Sequence, residues 1–93
     1  MSDPKDLFAL AQATLHYARS VADTLYFKDA LQTGYQAWRC KTQNFEYIQR
    51  HSTEWKEMLL ATASEYQQLR NAKSREWRAK QKLLTLAKRW ERA

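Results

Sequence analysis

At 93 residues, with one glycine, one proline and one cysteine, the chain is sized for a single domain and has almost none of the turn-forming residues that an all-β fold consumes. Its net charge of +6 belongs to one end: residues 1–69 hold seven Lys or Arg against eight Asp or Glu, whereas residues 70–93 hold nine against two. Two histidines, His16 and His51, and the lone Cys40 are too few for a metal centre or a thiol catalyst, and one glycine cannot build a phosphate cradle, so no enzyme chemistry, cofactor or metal is expected.

The opening, SDPKDL, is a helix-start signal. Asp3 suits the N-cap, Pro4 the first helical position, and Asp6 places an acid where unpaired amides want one. Leu7, Ala11, Thr14, Ala18, Val21 and Leu25 then step by four and three, widened by Leu10, Leu15 and Ala22, which predicts one amphipathic face whose alanines let another helix come close. The helix is expected to stop near Thr33 and Gly34, glycine being the residue that most readily takes the left-handed closing conformation.

Beyond that point a spine recurs every seven residues: Ile48, Trp55, Thr62, Leu69, Glu76, Leu83 and Trp90. Phe45, Leu59 and Tyr66, then Ala72, Ala79 and Leu86, flank it. A repeat of seven is the mark of helices that wind around one another. A single helix over 35–92 would be ~85 Å long at 1.5 Å per residue, about twice the first, so it must either break or pair with another chain. The natural break is at HSTE, where Ser52 caps a new helix and Glu54 enters its first turn. The expectation is therefore an all-α fold: a small helical bundle or hairpin with coiled-coil-like heptad packing. It has two or three helices at about 3–33, 35–51 and 53–92, the last two separate or continuous, and self-association into a homo-oligomer is expected with it.

On a helical wheel at 100° per residue, Leu69, Ala72, Ala79, Leu83, Leu86 and Trp90 fall on one side, while Arg70, Arg75, Arg78, Lys82, Lys88, Arg89 and Arg92 share an arc of about 140° on the other. Trp77 borders that arc and has a face on which a base could stack. Residues 70–93 thus form a basic amphipathic helix within the single domain. About 24 residues of helix span ~36 Å, close to one turn of duplex, so a nucleic acid held through its phosphate backbone is the expected partner. An acidic protein surface met by an interaction module, through the seam and its aromatics Trp38, Phe45, Trp55 and Tyr66, is the first alternative. An anionic membrane surface, which needs Leu83, Leu86 and Trp90 free for lipid, is the second. No apolar run approaches the ~20 residues that cross a bilayer. With one cysteine and no apolar leader at the start, a cytoplasmic setting is expected. The stretch Trp38, Arg39, Cys40 lacks the glycine of the Trp-x-Gly turn found in small secreted helical hairpins, and no family is assigned from it.

Overall fold

The computed structural model describes residues 3–92. Three helices run in chain order: α1 over Pro4–Thr42, α2 over Thr53–Ala61 and α3 over Ala63–Arg92. Among the described residues there are no strands. Helix α1 packs along α3, and the whole is a rod of 63 × 20 × 18 Å.

The start of α1 follows the sequence signal: the Asp3 carboxylate accepts the Lys5 backbone N–H at 2.9 Å. Its end does not. The helix passes through Gly34 and closes eight residues later, where Gln43 takes the left-handed conformation at φ 54° and its N–H turns back to the carbonyls of Arg39 and Cys40. Gly34 has a different task. A methyl group placed on it would lie 3.3 Å from Cγ2 of Thr62 across the hairpin, so glycine here permits close helix approach and does not end a helix.

Residues 43–52 form the turn, so the expected helix over 35–51 is replaced by the last turns of α1 and a loop. Arg39 pins that loop by donating from Nη1 to the backbone oxygens of Asn44 and Glu46 at 3.3 and 3.0 Å. The next helix begins where HSTE predicted it, with Ser52 Oγ accepting the Trp55 N–H at 3.1 Å. Helices α2 and α3 are separated only by Thr62, at φ −111° and ψ 17°. Thr62 is buried, and its hydroxyl is satisfied by the Met58 carbonyl at 2.8 Å. Together, 53–92 match α1 in length, which resolves the mismatch that a single 58-residue helix would pose.

The core is a narrow seam between α1 and α3. From α1 it takes Leu10, Ala13, Tyr17, Ser20, Thr24, Phe27, Leu31, Gly34 and Trp38; from the returning arm, Thr62 at the junction and then Glu65, Leu69, Ala72, Glu76, Ala79, Leu83, Leu86 and Trp90 of α3. All of these are buried or half-buried, and both series step by three and four. The seam on α3 coincides with the seven-residue spine read from the sequence. Upstream of Thr62 that spine changes character: Phe45 is exposed and Ile48 half-buried in the turn, while Trp55 and Leu59 are half-buried on α2. Tyr66 is 52% exposed, because Glu65 occupies the flanking position in its place.

On α1 the expected face is displaced by one residue. Leu7, Ala11, Ala18 and Leu25 are exposed and Val21 is only half-buried. A shift of one position rotates a helix face by about 100°. The reason lies in length. The stripe that faces α3 continues to Trp38 and so opposes nearly all of the returning arm, whereas the expected stripe ends at Leu25, with the charged Lys28 and Asp29 after it. The longer stripe removes more apolar area from water, at roughly 25 cal/mol per Å².

Candidate nucleic-acid interface

Because Leu69, Ala72, Ala79, Leu83, Leu86 and Trp90 face α1, the opposite side of α3 has no protein over it. Arg70, Arg75, Arg78, Lys82, Lys88, Arg89 and Arg92 are all exposed. Among the described residues none of the seven side chains forms a hydrogen bond or ion pair with another. Trp77 is 63% exposed at the border of the arc. Lys73 and Lys80, which the wheel puts outside the arc, are exposed as well and extend the positive surface to the other flank of α3.

Tertiary structure adds residues that no helical wheel of one segment contains. Where Ser20 meets Ala79, both small and buried, the two helices leave an open groove of about 560 Å³. Its walls carry His16, Arg19 and Asp23 from α1 against Arg75, Arg78 and Lys82 from α3. Four permanent cations thus converge on one stretch of the hairpin, with Asp23 as the single carboxylate among them. Arg19 and His16 were missed in the sequence because they sit in a near-neutral helix, some 60 residues from the basic tail. Their only signal is the three-residue spacing that sets them on one side of α1.

The basic residues do not all invite the same explanation. Arg89 and Arg92 lie in the last turn of α3, where a cation stabilises the negative end of the helix by about 0.3–1 kcal/mol. Arg75, Arg78 and Lys82 are mid-helix and have no such role. They repel one another and Arg19, an unfavourable arrangement that an anion in the groove would relieve. Planar guanidiniums suit phosphate because each can donate two parallel hydrogen bonds to its oxygens.

Among the described residues, no three His, Cys, Asp or Glu side chains cluster closely enough to hold a metal ion. The His51 ring, just before the Ser52 cap, lies 5.0 Å from that of Trp55 and tilted 60° to it. Cys40 is exposed. Among the described residues, no helix is long and apolar enough to cross a membrane. The chain matches no family model, no curated protein and no solved structure.

Proposed function

We propose that the protein works by binding rather than by catalysis, and that the basic face of α3, joined by Arg19, holds nucleic acid through its phosphate backbone. The observation that carries the reading is the convergence of Arg19, Arg75, Arg78 and Lys82, mid-helix, on one groove that holds a single carboxylate, Asp23. Binding of this kind draws its free energy from released counterions and is tolerant of sequence. Trp77 is placed to stack on an unpaired base, which adds a preference for single strands or loops.

The test is titration of duplex DNA, single-stranded DNA and structured RNA at several salt concentrations. With about five phosphate contacts, log affinity falls with log salt at a slope of about −4.5 on duplex. Reversing Arg75, Arg78, Lys82 and Arg89 to Glu together removes measurable binding. Arg19→Glu, in the near-neutral helix, weakens it by roughly tenfold, about one lost phosphate contact near 0.1 M salt. A flat salt response, or full affinity in the quadruple variant, rejects the proposal.

A protein partner with an acidic surface is the second reading. It is favoured by the other flank of α3, where exposed Tyr66, Trp77 and Leu84 alternate with Lys73 and Lys80. Indifference to all three nucleic acids together with stable co-elution with an acidic protein would select it. A membrane surface is disfavoured, since Leu83, Leu86 and Trp90 face α1 and leave α3 without a continuous apolar face to enter lipid.

A further inference from the structure

A second side of α1, rotated by about 100° from the one that meets α3, is as apolar as the first. Leu7, Ala11, Thr14, Ala18, Val21 and Leu25 form a straight stripe there, and Phe8, Leu15 and Tyr26 extend it at 65%, 60% and 69% exposure. No charged residue falls within this sector over 20 residues, about 30 Å of helix. A solvated helix face is polar, and among the described residues no other element covers this one.

We propose that this face is the interface with a second copy of the chain, the two α1 helices packed antiparallel. Three observations name the occupant. The first is area. A compact chain of 11.1 kDa is expected to expose about 5,700 Å², whereas this one exposes 7502 Å². The excess, about 1,800 Å² over the whole rod, leaves room for the roughly 800 Å² that each partner contributes to a standard interface.

The second is self-complementarity. A two-fold axis crossing α1 near residue 16 sets Leu7 opposite Leu25 of the partner subunit. The same axis sets Ala11 opposite Val21 of the partner subunit, and Thr14 opposite Ala18 of the partner subunit. Bulky pairs close the two ends, and small residues at the centre let the backbones approach, as an isologous contact requires. The third is charge. The antiparallel arrangement sets Asp3, beyond one end of the stripe, level with Asp29 of the partner subunit and one residue from Lys28 of the partner subunit, so that unlike and like charges offset there. A parallel pair would set Lys28 against Lys28 of the partner subunit and Asp29 against Asp29 of the partner subunit, like charge on like. Leu15, at the edge of the stripe, borders His16 and Arg19, but Arg75, Arg78 and Lys82 stand on α3 outside the stripe, so each copy keeps them open.

The test uses the full chain without nucleic acid, so that its outcome is independent of the phosphate-binding reading. Sedimentation equilibrium from micromolar to a few hundred micromolar should give twice the 11.1 kDa chain mass. Ala18→Glu, at an exposed position, should weaken association at least ~100-fold while circular dichroism keeps its helical amplitude; a substitution that does not touch the intrachain seam leaves the hairpin folded. Orientation is read by disulfide capture in a Cys40→Ser background. A mixture of Leu7→Cys and Leu25→Cys chains should cross-link, and each alone should not. A monomer at all concentrations, an Ala18→Glu chain that dimerises like the parent, or self-linked Leu25→Cys chains would each overturn the proposal.

Discussion

The two long helices of this hairpin pose opposite problems to a reader of the sequence. Helix α3 has one apolar stripe that runs its whole length, with only Tyr66, Trp77 and Leu84 as large apolar residues outside it, so one orientation against α1 buries far more than any other. Helix α1 has two apolar stripes, one residue out of step, and near-neutral charge. Either could have faced α3. A residue's place in the core is thus decided by local pattern in α3 and by competition between two patterns in α1. The same contrast separates the surfaces: α3 turns its cations outward, α1 turns Leu7, Leu15 and Leu25.

The largest expected effect compares a tryptophan from each arm. Trp38 on α1 is 8% exposed and Trp77 on α3 is 63% exposed. Trp38→Ala should cost ~3–5 kcal/mol in chemical denaturation, as for other large-to-small core changes. Trp77→Ala should cost less than about 1 kcal/mol, since it removes little buried area and alanine is the better helix former. Comparable losses would mean that the arms are not divided into an inner and an outer side as described.

A smaller effect concerns Glu65, one of two acids in the α3 seam. Oε2 of Glu65 is buried without a hydrogen-bond partner, next to the close approach at Gly34, and an unmet polar group of this kind costs about 1–3 kcal/mol. Glu65→Leu should therefore raise the melting temperature, against the usual direction of point mutations. A fall would show that the carboxylate contributes more through solvent than it loses by burial.

The smallest effect is at Tyr35, on the half-buried side of α1. Burial raises its phenol pKa above 10, and the neighbouring Tyr66 adds to the shift. A folded pKa above the unfolded one makes stability independent of pH below about 10 and lowers it as pH rises through the folded value. Tyr35→Phe should reduce this alkaline loss, measured as the pH dependence of the unfolding midpoint between about pH 9 and 12.

Much of the fold was legible. Scarcity of Gly and Pro excluded sheets, Asp3 and Ser52 marked two helix starts, and the seven-residue spine from Thr62 to Trp90 marked the buried side of α3. These signals are local: a cap or a repeat acts within a few residues of itself. Gly34 misled because glycine both ends helices and admits close neighbours, and the neighbour, Thr62, is far along the chain. The basic arc was legible from Arg70 to Arg92, but Arg19 and His16 were not, since their proximity to Arg75 and Lys82 depends on which side of α1 meets α3.

By itself the sequence determined that the chain is helical, where two of its helices start, and that its positive charge is sorted to one side of one helix, because propensity, capping and periodicity are short-range. Tertiary structure alone decided which of two apolar stripes on α1 is buried and which cations share a groove. Those outcomes depend on matching two arms along their whole length, and the stripe that buries more surface against the returning helix prevails.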